Sequence, residues 1–298
     1  MAKTKILILG GTGMIGHGLF WQLSKEPDLD VFATVRDASN LDKWFTPELR
    51  GKIRESVDSE NFDTVIRALA SIRPDVVINC IGLIKQLPIS TDPLSAITSN
   101  SQLPHRISMI CRTAGARMIH VSTDCVFNGS KGNYTEDDPS EATDLYGRSK
   151  YLGEVEYPHC VTLRTSIVGH ELKGKLGLIE WFLAQNGKIN GFTRAIYSGL
   201  PTVEFARVIS QYVLPNPDLS GLYHVSSDPI SKYDLLKLVA ERYNKDIEIL
   251  PYDDFSQDRS LDSSRFRKAT GYKPPSWTEL VDMMYQNYNE LPCYRDNA

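Results

Sequence analysis

An α/β fold built on a doubly wound parallel sheet is what this 298-residue sequence predicts. Two observations carry the prediction: short apolar runs alternate with helix-period segments through the first half, and a glycine cluster sits between the first run and the first helix. In order, Lys5 to Leu9 reads as a buried strand, Gly13 to Ser24 opens a helix, and Val31 to Val35 is a second strand. Val65, Ile66, Leu69 and Ile72 recur at helical spacing over Phe62 to Ile72, and Pro74-Asp75 ends that helix before a strand at Val76 to Cys80. A helix over His105 to Thr113 runs through Gly115 into a strand at Met118 to Ser122. This is a βαβ series.

Beyond Tyr146 the pattern loosens. A strand is expected at Cys160 to Arg164, a mixed segment through Tyr197, a helix over Val203 to Val213 and a strand at Gly221 to Val225. Ser231, with Asp234 three residues on, resembles a capping box for an amphipathic helix over Lys232 to Tyr243. Short strand signals, Pro251, Pro274 and Pro275 follow, then a helix over Thr278 to Tyr288. The expected division is a nucleotide-binding domain over 1–168, to which 196–228 returns, and a smaller interleaved C-terminal substrate lobe over most of 169–298.

Composition bounds the function. Hydrophobic residues make up 41% and charged residues 23%, enough for a packed core. A net charge of -4 gives no general attraction to nucleic acid or anionic lipid, so any anion site must be local. No uncharged apolar run reaches the roughly 18 residues of a membrane span. Lys3 and Lys5 before Ile6 imitate the start of an export signal, but glycines interrupt the run and no cleavage site follows. The five cysteines lack metal-ligand spacing and read as reduced thiols of a cytoplasmic protein. The six histidines show no metal pattern, and Ser122 and Cys125 lack a nucleophile elbow, which argues against a hydrolase.

Gly10-Gly11-Thr12-Gly13-Met14-Ile15-Gly16 lies between strand and helix, where glycine permits a tight turn and lets backbone amides approach a pyrophosphate. A Rossmann-type dinucleotide site is expected, with Gly10, Gly13, Met14, Ile15 and Gly16 at the cofactor. Arg36 stands twenty residues after Gly16, where NAD-selective sites usually carry an acid. A guanidinium suits a 2′-phosphate, so NADPH is expected over NADH. The alternative is that Arg36 faces solvent and Asp37 takes the ribose.

Tyr146-Gly147-Arg148-Ser149-Lys150 places a phenol and an ammonium on one helix face, the pairing needed for proton transfer to a carbonyl. A second such spacing, Tyr233 with Lys237, follows the end of the sheet pattern and reads as structural. Tyr146 lies 23 residues beyond Thr123, at the end of a predicted central strand.

Glycine loop, strand-end Ser-Thr and Tyr-x-x-x-Lys in this order resemble an extended short-chain dehydrogenase/reductase. Ser122-Thr123-Asp124-Cys125-Val126-Phe127-Asn128-Gly129 is similar to the S-T-D-Y-V-F-D-G signature of dTDP-4-dehydrorhamnose reductases. Gly153-Glu154 and Leu163-Arg164-Thr165-Ser166 also resemble that family. Ser260-x-Asp262 and Pro275-Ser276-Trp277 match its tail only loosely. The resemblance implies that Thr123 orients the substrate carbonyl, Tyr146 supplies the proton, and Lys150 holds the nicotinamide ribose while depressing the tyrosine pKa. It implies that Asn100 supports this geometry beside the cofactor, a helix cap or turn role being the alternative. Cys80, Ile81 and Gly82 should line the cofactor.

Cys125 departs from the signature tyrosine, so the sugar's surroundings should differ. Leu83-Ile84-Lys85-Gln86 also departs, and Lys85 is either a substrate contact or a solvated lysine. On the substrate side Asp124, Cys125, Arg194 and Arg259 join Thr123. The cluster Arg259, Arg265, Arg267 and Lys268 reads either as phosphate-binding or as a salt-bridged face. Trp181, Phe182 and Phe192 are base-stacking candidates, with core packing favoured.

The implied activity is NADPH-dependent reduction of a 4-keto-6-deoxy nucleotide sugar. An epimerase with tightly bound NAD, or a non-catalytic regulatory subunit like the relative that modulates methionine adenosyltransferase, are the other readings. A homodimer is also implied.

Overall fold

The computed structural model describes residues 2–85 and 91–295; Gln86 lies outside them. The first half contains β1 (Thr4–Leu9), α1 (Met14–Leu23), β2 (Leu29–Thr34), α2 (Leu41–Trp44), α3 (Pro47–Gly51), β3 (Ile53–Arg54), α4 (Phe62–Ile72) and β4 (Val76–Asn79). Next come α5 (Pro93–Ala96), α6 (Leu103–Ala114), β5 (Arg117–Thr123), α7 (Leu145–Leu152) and β6 (Cys160–Thr165). The second half has β7 (Ile167–Val168), α8 (Leu178–Leu183), β8 (Lys188–Tyr197), β9 (Leu200–Pro201), α9 (Thr202–Val208) and β10 (Gly221–His224). It ends with β11 (Ile230–Ser231), α10 (Lys232–Arg242), β12 (Glu248–Asp258), α11 (Ser264–Thr270), α12 (Trp277–Glu290) and α13 (Pro292–Arg295).

Seven parallel strands form the main sheet in the order β10-β6-β5-β4-β1-β2-β3. The continuous apolar run of β1 follows from burial on both faces. Ile6 and Ile8 enter one core, Leu7 and Leu9 the other, all with no exposed surface. The second core is roofed by α4, which buries Val65, Ala68, Leu69 and Ile72 at helical spacing. Strand order reverses between β1 and β4, and the carboxyl edge there opens the crevice in which such sheets take ligands. This is a Rossmann-type fold.

A smaller three-stranded sheet, β11-β8-β12, forms the additional C-terminal lobe. Here sequence and structure differ, because β8 and β12 are ten- and eleven-residue strands where only short or mixed signals were legible. β12 is an edge strand, exposed over most of its length, so it carries no apolar alternation and tolerates Pro251. The helix expected over Val203 to Val213 changes to a π-helical turn after Val208. Among the described residues no helix is long and apolar enough to cross a membrane.

Candidate active site

The glycine loop turns the chain at the carboxyl end of β1. Gly10 adopts φ +87°, a left-handed conformation that disfavours side chains. Gly16 is required by contact: a Cβ there would lie 2.1 Å from the Gly10 carbonyl oxygen. Helix α1 starts at Met14 after Gly13, with neither a side-chain cap nor an acidic residue in its first turn. Its amide dipoles are therefore available to an anion, and the residues fit a dinucleotide pyrophosphate. From the neighbouring turn, Ile81 Cγ1 and the Cys80 carbonyl carbon would sit 3.2 and 3.3 Å from a Cβ on Gly10, so these residues wall the same crevice.

Arg36 is exposed just beyond β2. Asp37 beside it accepts hydrogen bonds from Ser39 N at 2.9 Å and Ser39 Oγ at 2.6 Å, which hold its carboxyl below the usual range. The carboxylate is thus engaged in a local turn while the guanidinium is not.

Thr123 ends β5, and Asp144 caps α7 by accepting from Gly147 N at 2.7 Å. The cap fixes the first turn of α7, which presents Tyr146 to Thr123. Burial, then Cys125, Asp124 and Asp144, push the phenol pKa up, while the hydrogen bond with Thr123 favours the phenolate. The leading influences on the phenol are thus its burial and these near neighbours. Lys150 is 5% exposed and donates from Nζ to the Val121 carbonyl at 2.8 Å. Burial lowers its pKa to about 8, opposed by Glu154. Glu154 in turn accepts from Arg164 at 2.7 and 2.6 Å and from Ser122 Oγ at 2.6 Å, an ion pair buried beneath the site.

Asn100 lies in a π-helical turn, Ile97–Gln102, that runs directly into α6. Such a widened turn often marks a functional position. Its Oδ1 accepts from Leu83 N at 2.8 Å, and its Nδ2 donates to Leu83 O at 3.2 Å and Ser149 Oγ at 3.1 Å. The amide therefore ties the turn after β4 to α7. Gly82 lies in that turn, where a Cβ would stand 3.3 Å from Asn100 Oδ1 and 3.9 Å from Lys150 Nζ.

On the substrate side, Arg259 Nη1 donates to Cys125 Sγ at 3.3 Å, and Arg259 Nε is buried without a partner among the described residues. Burial raises the Asp124 carboxyl, with Arg259 and Lys232 opposing. Lys232, the first residue of α10, was missed by sequence reasoning, which saw only an amphipathic helix. The available signal was a cation at the positive end of a helix, an unfavourable placement that an anionic ligand would relieve. Lys85 pairs with Asp144 at 3.0 Å. Arg194 is exposed on β8, and its side chain has no hydrogen bond or ion pair among the described residues. Of the remaining cluster, Arg265 pairs with Asp137 at 2.8 Å and Arg267 with Asp228 at 3.5 Å. Lys237 lies over the ring of Tyr233 at 5.3 Å. Phe182 is fully buried and Phe192 packs on Tyr252 and Phe255, whereas Trp181 is partly exposed.

A dinucleotide fold with a glycine turn at its switch point and a tyrosine and lysine on one helix defines the class: a short-chain dehydrogenase/reductase-like oxidoreductase that uses NAD(P). The family model described as RmlD substrate binding domain matches residues 4–290, and the chain belongs to this family of nucleotide-sugar enzymes. The spore coat polysaccharide biosynthesis protein SpsK of Bacillus subtilis is 26% identical over 296 residues, covering 93% of this chain and 95% of that protein. A dTDP-4-dehydrorhamnose reductase structure from Bacillus anthracis, in complex with NADP, superposes with TM-score 0.77 at 21% identity, covering 96% of this chain and 99% of that one. The Bordetella bronchiseptica enzyme WbmG, in complex with NAD, gives 0.76 at 17% identity, with 98% and 96% covered. The fold thus accommodates either dinucleotide.

Proposed function

We propose that this protein reduces the keto group of a 4-keto-6-deoxy nucleotide sugar with NADPH. The observation that carries the reading is the convergence of Thr123, Tyr146 and Lys150 at the carboxyl edge of β5, with Tyr146 held protonated by burial and its acidic neighbours. A reductase needs an acid at that place. When bound, NADPH supplies the hydride to the keto carbon. Thr123 donates a hydrogen bond to the carbonyl oxygen, and the Tyr146 hydroxyl gives its proton to the same oxygen as the alcohol forms. Lys150, fixed on Val121 and beside Gly82, is placed to hold the nicotinamide ribose.

Arg36 supports NADPH over NADH because Asp37 is already engaged by Ser39. Lys232 and Arg259 supply local positive charge to an anionic substrate despite the acidic chain. Cys125 in place of a tyrosine opens room beside the sugar, so the accepted hexose should differ from that of a rhamnose enzyme. Exposed Leu94, Met109, Tyr151 and Leu152 on α5, α6 and α7 support pairing of two copies through these helices.

The test is NADPH oxidation measured against dTDP-, UDP-, GDP- and CDP-linked 4-keto sugars. Turnover on at least one is expected, and Tyr146→Phe should lower it by about 10²- to 10⁴-fold while NADPH still binds. Unchanged turnover in that variant refutes the assignment. Retention of NAD without net NADPH consumption would instead indicate an epimerase.

A further inference from the structure

Beyond β7 the chain enters a loop, 169–177, that is fastened at both ends yet leaves two lysines at its tip. His170, 2% exposed, meets Glu180 Oε1 at 2.6 Å through Nδ1 and the Tyr243 hydroxyl at 2.8 Å through Nε2. Leu172, 1% exposed, belongs to the same core as Val35 and Leu41, which flank the end of β2. Glu171 Oε2 accepts from Leu176 N at 2.9 Å and Gly177 N at 2.7 Å, closing the loop on itself. Lys173, Gly174 and Lys175 are exposed between these anchors.

The C-terminal turn locks this loop to the cofactor crevice. The Tyr294 ring lies 5.1 Å from that of His170, and its hydroxyl is 2.6 Å from His17 Nε2. His17 Nδ1 is 2.8 Å from the Gly13 carbonyl of the glycine loop. With Nδ1 carrying the proton, Tyr294 donates to His17 and His17 donates to Gly13. Helix α13 also packs on α2, which follows the Arg36 turn. Loop 169–177 and α13 therefore reach the two sides of the crevice's adenosine end, the glycine loop and the β2 turn. There the Asp37 carboxyl is lowered first by its hydrogen bonds with Ser39 and further by the charges of both Lys173 and Arg36. Neither cation has a hydrogen bond or an ion pair within 4 Å among the described residues.

We infer that Lys173 is a second cation for the 2′-phosphate of NADPH, carried to the Arg36 turn by the anchored loop 169–177. The inference rests on the NADPH reading above and adds a specificity residue from outside the dinucleotide-binding half. A phosphate dianion between a guanidinium and an ammonium gains from both, and the gain at this exposed edge falls with ionic strength. Sequence spacing could not show it, since 137 residues separate the two cations.

The experiment compares adenosine 2′,5′-bisphosphate with adenosine 5′-monophosphate by calorimetry at low salt, since the two differ only in the 2′-phosphate. The full-length protein should prefer the bisphosphate. Lys173→Ala should weaken bisphosphate binding by about fivefold and leave the monophosphate unchanged, with the difference shrinking in higher salt. Arg36→Ala should act in the same sense, and Lys175→Ala, at the same tip, should not. A preference reduced by Arg36→Ala but untouched by Lys173→Ala overturns the role of Lys173 and leaves the NADPH reading standing. Equal losses from Lys173→Ala and Lys175→Ala overturn it too, because a diffuse field would then be responsible. Absence of any preference in the unaltered protein overturns the NADPH reading itself, and this inference with it.

Discussion

Replacing Glu154 with Gln tests whether one buried ion pair both stiffens the fold and sets the charge state of Lys150. The Glu154 and Arg164 side chains are 5% and 3% exposed, and the guanidinium spans both carboxylate oxygens. Breaking one side of a buried pair costs about 3 to 5 kcal/mol. Gln retains one acceptor oxygen, so the lower end, about 3 kcal/mol, is expected. At roughly 2 °C per kcal/mol for a chain of this size, Tm should fall by about 6 °C. The charge itself matters to Lys150, whose pKa burial lowers to about 8 against the opposing pull of Glu154. With that opposing charge removed, burial acts on Lys150 with less to offset it, so Lys150 should titrate below about 8 in the variant. Calorimetric unfolding measures the first effect, and nitrogen-15 NMR of labelled lysines the second. A Tm within about 1 °C of the parent protein, with Lys150 still titrating near 8, would refute the reasoning.

Further perturbations separate other parts of the site. Gly16→Ala places a Cβ 2.1 Å from the Gly10 oxygen, so α1 must move off the glycine loop. Cofactor affinity should drop by about tenfold or more, and unchanged affinity would contradict the role given to this close approach. His17 is buried neutral, with its pKa lowered to about 4 from 6.5. The unfolded chain takes up the proton first, so this histidine's contribution to stability is complete above about 6.5 and lost as pH falls toward 4. In acid unfolding, His17→Gln should show a shallower loss of stability across that window, and parallel curves would count against it.

Much of the first half was legible because a strand buried on both faces must be apolar throughout, and a roofing helix must be apolar at every third or fourth position. The run Ile6 to Leu9 and the spacing of Val65, Leu69 and Ile72 are direct consequences. The glycine turn was legible for a similar reason, since Gly10 has a left-handed backbone and Gly16 has no room for a side chain. The placement of Tyr146 and Lys150 on one helix was legible from spacing, but only position relative to the sheet set them apart from the same spacing at Tyr233 and Lys237.

Contacts between distant segments could not be read from spacing. β12 was legible only as short strand signals because an exposed edge strand needs no apolar alternation, and Lys232 was missed because its helix was judged by its buried face. The partners of Arg259, of Asn100 and of Tyr294 lie 134, 17 and 277 residues away. Residue order determined the sheet, the glycine turn and the helix that carries Tyr146, because each depends on local geometry and the burial of neighbouring positions. Tertiary structure alone decided that burial pushes the Tyr146 phenol up, that burial lowers the Lys150 ammonium and that Lys173 and Arg36 both act on Asp37. Desolvation and charge proximity depend on distances in space, which no spacing along the chain encodes.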